Sequence, residues 1–215
     1  MNKIILVDDH SLFREGIKLL IENEGFGEII AEAENGAIFL DLLETHQPDL
    51  VIMDIEMPVM NGVEATRRAI KTYPNLNILV LTMLNEKANY SDMIYAGAMG
   101  FVLKTSGKAE FEKAINTVIN GESYFSSELL RQMILNSHKS NLTDTIDKKQ
   151  LEFTERENEV LSLLCQGLSV SEIADKLFLS SKTIEVHRST LLKKTKTKNT
   201  INLVLHAIKN KLVEI

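Results

Sequence analysis

The sequence predicts an α/β domain, with a parallel five-stranded sheet and helices on both faces, followed by a smaller all-α domain containing a helix-turn-helix. Three observations predict it. Short apolar runs alternate with stretches of helical period over roughly the first half of the chain, the pattern of a parallel sheet covered by crossover helices. Four of those runs end on residues that carry chemistry: Asp8 and Asp9, Asp54, Thr82, and Lys104. The last third shows helix caps at short intervals instead.

Strands are expected near residues 3 to 8, 28 to 33, 50 to 54, 77 to 81 and 100 to 103. The first helix carries Phe13, Ile17, Leu20 and Ile21 on a single core-facing stripe, and Gly25 and Gly27 end it. Asn35 is the expected N-cap of a second helix reaching about Thr45, and Pro48 breaks the chain before the central strand. A third runs from about Gly62 to Tyr73 and stops before Pro74, since the residue preceding a proline disfavours helical geometry. The fourth, near Glu86 to Ala96, has few large apolar residues beyond Met93 and Ile94 and is expected to be loosely held. The fifth, about Lys108 to Asn120, is better patterned. Beyond it, Leu129, Leu130, Met133 and Ile134 form a short helical pattern, and the polar stretch from Asn136 to Lys149 has the composition of a linker.

Punctuation is clearer in the second domain. Thr154 with Glu157 and Ser169 with Glu172 fit capping boxes, and Gly167 sits where a helix C-cap belongs between them. A helix through Leu177, the turn Phe178-Leu179-Ser180 and a helix capped by Ser180 have the spacing of a helix-turn-helix. At about 100° per residue, Ile184, His187 and Leu191 fall on one face of that last helix, and Lys182, Glu185, Val186, Ser189 and Lys193 fall opposite. The outward face suits solvent, or else the major groove, with Val186 against a thymine methyl and basic neighbours on phosphates. The final helix, roughly Thr200 to Lys211, places Ile201, Leu205, Ile208 and Leu212 on one stripe and Leu203, Val204 and Ala207 elsewhere. That is more apolar surface than one small bundle uses, so a homodimer contact is expected there.

At 215 residues the chain can bury two cores, and its net charge of -6 excludes a uniformly basic nucleic-acid binder. The charge is uneven: Lys182, Arg188, Lys193, Lys194, Lys196 and Lys198 are opposed only by Glu185. Cys165, the only cysteine, lies in an apolar helical stretch and reads as core, in keeping with a reducing compartment. The first strand's apolar run is too short to span a membrane and reaches two aspartates without a cleavage pattern, so no membrane partner and a cytoplasmic location are expected.

Ligands of an open α/β sheet bind outside the carboxyl ends of its strands. Asp8, Asp9 and Asp54 offer hard oxygen ligands of the kind Mg²⁺ accepts. An aspartate oxygen can attack a phosphorus in line while Lys104 and Thr82 hold the equatorial oxygens. Taken singly, the acids are ordinary loop residues and Lys104 a surface cation; at four strand ends together they read as a site. Two other classes stay open. A phosphohydrolase with an aspartate nucleophile would also use Mg²⁺ and a lysine, but it usually carries a second aspartate where this chain has Glu56. The helical domain could bind a protein rather than DNA; a steep salt dependence of duplex binding would favour DNA, since phosphate neutralisation releases counterions.

Residues 1 to about 120 resemble a response-regulator receiver domain, through Val7-Asp8-Asp9-His10, the stretch from Asp54 through Met57-Pro58 to Asn61-Gly62, Leu81-Thr82-Met83 and Gly100-Phe101-Val102-Leu103-Lys104. Residues 150 to 212 resemble the LuxR-type helix-turn-helix of the NarL/FixJ subfamily, through Phe153-Thr154-Glu155-Arg156-Glu157, Gly167-Leu168-Ser169, Glu172-Ile173-Ala174 and the run from Ser180 to His187. The resemblance implies a flavodoxin-like, doubly wound receiver over 1–121, a linker over 122–149 and a four-helix DNA-binding domain over 150–215. It implies a transcriptional regulator that takes phosphate from a sensor histidine kinase, binds double-stranded DNA and forms a homodimer on activation. Such a protein is no enzyme beyond catalysing its own phosphorylation and dephosphorylation.

By position, the resemblance makes Asp54 the phosphoacceptor, Asp9 a direct Mg²⁺ ligand, Asp8 a ligand largely through water and the backbone carbonyl of Glu56 another. Thr82 and Lys104 would bind the phosphoryl group, and Phe101 would hold the aromatic switch position. Lys182, Thr183, Glu185, Val186, Arg188, Ser189 and Lys193 are the expected DNA contacts. Some positions depart from the broad pattern. Thr105 stands where many receivers have proline, Met83 is bulkier than the usual small residue, and Phe101 lacks the tyrosine hydroxyl. Glu185 is acidic on a surface meant for DNA, which fits a base-edge contact such as a cytosine amino group or tolerance at the rim. Glu56 and Leu84 flank the site at positions that tune acyl-phosphate lifetime in similar proteins.

Overall fold

Apolar runs of four to six residues, too short for stable helices, become strands that helices of opposite amphipathic facing cover on both sides. The computed structural model describes residues 1–83, 90–125, 153–197, 199–210 and 212–213. The chain divides into two compact units, Met1–Tyr124 and Phe125–Ile215.

The first unit alternates β1 (Lys3–Val7), α1 (Ser11–Asn23), β2 (Glu28–Ala33), α2 (Gly36–Leu43), β3 (Leu50–Met53), α3 (Gly62–Thr72), β4 (Ile78–Thr82), α4 (Tyr90–Ala96), β5 (Gly100–Leu103) and α5 (Lys108–Ile119). These strands pair in parallel. The sheet order is β2-β1-β3-β4-β5-β6, where β6 is the dipeptide Tyr124–Phe125. The sheet therefore has six strands rather than the five expected, and the sixth falls in the segment read as the start of a linker. Two residues carry no period to detect; Tyr124 enters the sheet by donating its N–H to the Met99 carbonyl at 3.2 Å.

Strand alternation splits the core. Ile4, Leu6, Leu50, Ile52, Leu79, Leu81 and Val102 pack in one cluster with Ile21 of α1 and Phe111, Ala114, Ile115 and Val118 of α5. Phe13, Ile17 and Leu20, the expected stripe, seal that cluster while staying partly exposed. Asn35 caps α2 by accepting from the N–H groups of Ala37 and Ile38, and Asn61 caps α3 through the N–H of Glu64. Residues 84–89, which include Leu84 and the expected start of the fourth helix, lie outside the described residues. The described part of α4 is seated more firmly than its pattern suggests, because Tyr90 is buried along with Met93, Ile94 and Ala96.

The second unit holds α6 (Glu155–Cys165), α7 (Val170–Leu177), α8 (Ser181–Thr195) and α9 (Thr200–Lys209). Both capping boxes form, at Thr154 with Glu157 and at Ser169 with Glu172. Ser180 caps α8 by accepting the N–H of Thr183. Gly167 takes a φ of 84° after α6, the left-handed geometry a glycine adopts without strain. Cys165 is buried, and burial pushes its thiol up to about 12. The stripe expected on α9 divides: Ile201 joins Leu203, Val204 and Ala207 in the core, whereas Leu205, Ile208 and Leu212 stay partly exposed. The patterned short helix and the linker of residues 126–149 lie outside the described residues.

Candidate functional site

Crossover direction reverses at β1, since the chain leaves it toward β2 and returns on its other side as β3. That switch point opens a crevice at the strand ends. The register pairs Val7 with Met53, and the Asp54 N–H donates to the Val7 carbonyl at 2.8 Å, so Asp8 and Asp54 emerge side by side. Thr82 pairs with Leu103, and the Lys104 N–H donates to the Thr82 carbonyl at 2.7 Å. Four strand ends thus meet at one level.

Lys104 joins them. Its Nζ donates to Asp54 Oδ2 at 2.7 Å and lies 2.6 Å from Asp8 Oδ2. Asp8 and Asp54 are 2% and 6% exposed. Burial pushes the Asp54 carboxyl above its ordinary value; the Lys104 hydrogen bond and charge oppose this, and the charge of Asp8 adds to it. Burial works against the Lys104 charge as well, yet the hydrogen bonds and charges of Asp54 and Asp8 together hold its ammonium above the usual range. Asp54 Oδ1 accepts the Ile55 N–H at 2.7 Å, which leaves the carboxylate clamped at both oxygens.

Asp9 stands at the mouth, and Asp8, Asp9, His10 and Asp54 each offer a donor atom within 4.8 Å of the others. Three carboxylates are hard donors, so this set fits a divalent cation of the Mg²⁺ class. An open cleft beside it is lined by Asp9, Glu56, Met57, Pro58, Asn61 and Asp92, which puts Glu56 at the rim. Thr82 is buried and donates its hydroxyl to the Met83 carbonyl at 3.3 Å. Phe101 is fully buried, with its ring edge-on to Tyr90 at 6.5 Å. Among the described residues every peptide bond is trans, including Lys104-Thr105.

Pattern reading missed several residues around the cluster. His10 Nδ1 lies 3.1 Å from Asp8 Oδ1 and 3.0 Å from Asp9 Oδ1. Arg14 donates to the Asp8 backbone carbonyl at 2.5 Å, and Lys104 Nζ sits 4.6 Å from the centre of the Phe13 ring. The one available signal was their position in the loop and first turn after Asp9. Gly62 is fixed by closeness: a Cβ there would fall 2.0 Å from the Asp54 carbonyl oxygen. Val59, in the same loop, holds a φ of 66°, a strained geometry for a β-branched side chain.

On the second unit, Lys182, Glu185, Val186, Ser189 and Lys193 are all exposed on α8, as its period requires, and Ile184 and Leu191 are buried. Thr183 and Arg188 are partly covered; the Thr183 hydroxyl shares a hydrogen bond with Ser180 at 2.8 Å. The basic patch is smaller than its composition suggests. Lys194 turns inward to Glu157 at 2.6 Å, Arg188 reaches Glu185 at 3.2 Å, and Lys198 lies outside the described residues. Phe178, the turn residue before Leu179 and Ser180, is 94% exposed with a φ of 55°.

An acidic strand-end pocket with a buried lysine on one unit, and a helix-turn-helix on the other, define a signal-controlled DNA-binding regulator. Residues 4–116 match the response regulator receiver domain, and residues 151–207 match the luxR family of bacterial regulatory proteins. The chain is 33% identical to the transcriptional regulatory protein DegU of Brevibacillus brevis, across 99% of this chain and 95% of that protein. It is 32% identical to the oxygen regulatory protein NreC of Staphylococcus epidermidis, across 99% of each. Among solved structures it is similar to that of two RcsB dimers bound to two parallel DNAs, at 26% identity and a TM-score of 0.56, across 97% of this chain and 98% of that one. The chain belongs to the two-component response regulators that join a receiver domain to a LuxR-type DNA-binding domain, a family of transcriptional regulators. Among the described residues, no helix is long and apolar enough to cross a membrane.

Proposed function

We propose that this cytoplasmic regulator takes a phosphoryl group from a sensor histidine kinase onto Asp54 and thereby changes its hold on DNA. The observation that carries the reading is the single lysine shared by two buried carboxylates, at 2.6 and 2.7 Å. One cation for two acids, with Asp9 beside them, leaves the pocket net negative and suited to a second cation.

Asp8, Asp9, Asp54 and the backbone carbonyl of Glu56 would hold Mg²⁺, which when bound neutralises both the carboxylates and the incoming phosphoryl oxygens. The remaining steps belong to the chain. An Asp54 oxygen forms a bond to phosphorus as the donor's phosphorus–nitrogen bond breaks and its electron pair leaves with the donor imidazole. Ile55 and Lys104 hold the carboxylate in one orientation, which lowers the entropic cost of attack. Lys104 then balances charge on the phosphoryl oxygens, and Thr82 turns its hydroxyl from Met83 toward them. Phe101 and Tyr90 convert that movement into a change of packing at α4. The same residues would serve hydrolysis of the acyl phosphate. Phosphorylation acts on DNA binding only through its unequal preference for two receiver states.

For DNA, Lys182, Thr183, Glu185, Val186, Arg188, Ser189 and Lys193 form the contact surface on α8. The partly exposed Leu205, Ile208 and Leu212 supply a homodimer contact that sets two reading helices about 34 Å apart. That RcsB, a similar protein, is found as dimers bound to DNA supports a dimer on DNA. We assign the receiver to 1–121, the linker to 122–149 and the DNA-binding domain to 150–215.

Selection of duplex DNA from a random pool by the full chain, with and without a small-molecule phosphodonor and Mg²⁺, tests the reading. Wild type should enrich a two-fold-symmetric site more strongly with the phosphodonor, and Asp54→Ala should lose that response while keeping basal binding. An equal response in Asp54→Ala would mean another acceptor. No enrichment at all would move the helical unit toward a protein partner.

A further inference from the structure

We propose that Glu185 reads a cytosine in each half-site and that Arg188 positions its carboxylate to do so; this rests on α8 being the DNA-reading helix. Glu185 is the only acid on the outward stripe of α8, between Lys182 one turn before and Ser189 one turn after, with Val186 beside it. A bare carboxylate there would be repelled by the phosphates. Arg188 changes that. Its terminal amine donates to Glu185 Oε1 at 3.2 Å, so the two approach DNA as a neutral pair. The Arg188 side chain is only 22% exposed against 50% for Glu185, so the guanidinium lies on the flank while the carboxylate leads. That bond engages Oε1 and leaves Oε2 to accept from a base.

The chemistry of the major groove selects the base. Only cytosine and adenine present amino donors there, and adenine places its N7 acceptor beside that amino group. A carboxylate has no proton to give N7, and its second oxygen is repelled by it. Cytosine offers the donor without the acceptor. Guanine and thymine present acceptors alone on their edges, which a carboxylate cannot pair.

Duplex selection with the full chain, comparing wild type with Glu185→Gln and Arg188→Gln, tests the assignment. Wild type should prefer cytosine at one position of each half-site by on the order of tenfold. Glu185→Gln should move that single position toward adenine, whose N6 and N7 a carboxamide can pair, and leave the other positions unchanged. Arg188→Gln should weaken the cytosine preference without creating a new one. A Glu185→Gln protein that binds every sequence more tightly by one factor, with an unchanged base profile, would show an acid merely tolerated at the rim and overturn the inference. A wild-type site with no cytosine position sensitive to residue 185 would also overturn it while leaving DNA binding intact. Absence of any selected site would bring down the underlying reading instead.

Discussion

Each unit sets buried carboxylate against a lysine, and Glu157 and Asp54 respond to burial in opposite ways. Glu157 on α6 is 5% exposed and meets Lys194 at 2.6 Å; Asp54 is 6% exposed and meets Lys104 at 2.7 Å. Burial works against the charge of Glu157, but the Lys194 hydrogen bond and the Thr154 N–H outweigh it, so its carboxyl lies below the ordinary range. Asp54 lies above it, because burial is joined by the like charge of Asp8, which competes for the same lysine. The first pair is closed: one acid, one base, and a backbone donor at a helix N-terminus. The second is left with excess negative charge inside a low-dielectric site, the condition in which a further cation relieves repulsion.

Backbone strain follows the same division. In the helical unit the non-glycine residues with positive φ, Phe178 and Lys196, are helix C-caps, where a left-handed turn satisfies the last carbonyls. In the receiver, Val59 holds that geometry five residues after Asp54, the proposed phosphoacceptor, without ending a helix. Strain outside helix caps and unrelieved charge therefore gather at the strand-end site of the receiver.

The largest expected effect breaks the open pair. Lys104→Met leaves Asp8 and Asp54 buried without their shared cation and should cost the receiver roughly 3–5 kcal/mol in chelator. Urea titration followed by hydrogen exchange resolved to each unit would show it. Asp54→Asn in the same background should restore most of the loss, and a double variant no better than Lys104→Met would show that charge was not the cause.

Glu157→Gln comes next, at about 1–2 kcal/mol of the helical unit's stability near neutral pH, the worth of a hydrogen bond between charged groups. Because Glu157 is held below its unfolded value, its stabilisation is fully present above the ordinary carboxylate range and disappears as pH falls through the folded value. The wild-type and Gln curves should therefore converge in acid; a constant gap would contradict the account. Asp54 has the reverse sign. Its raised value means that receiver stability falls as pH rises through the ordinary carboxylate range and then through the folded value. Asp54→Asn should stabilise the receiver in chelator by about 1 kcal/mol at neutral pH, the usual trade at a functional site. Smallest of all, Val59→Asn should add about 0.5 kcal/mol by easing left-handed strain, seen as a higher receiver midpoint.

Much of this was legible in the sequence where the signal is local. Asn35, Thr154, Ser169 and Ser180 cap the helices that their spacing announces, since a cap needs only a side chain and an N–H two or three residues on. The strand-end set of Asp8, Asp54, Thr82 and Lys104 was legible because parallel topology fixes which end of each strand meets the others. Contacts between distant segments were not. Lys194 reads as part of a basic patch until Glu157, far off in sequence, is seen to take it inward. Tyr90 stood out in no sequence pattern, and only the fold shows it buried edge-on to Phe101. The sixth strand has too few residues to carry a pattern.

Intact-mass spectrometry of the full chain after incubation with a phosphodonor and Mg²⁺, with the modified residue located by borohydride trapping and peptide mapping, tests the central claim most directly. One phosphoryl group on Asp54, absent with chelator and absent in Asp54→Ala, is the predicted result. A phosphoryl group on any other residue, or on Asp54→Ala to the same extent as wild type, would contradict it.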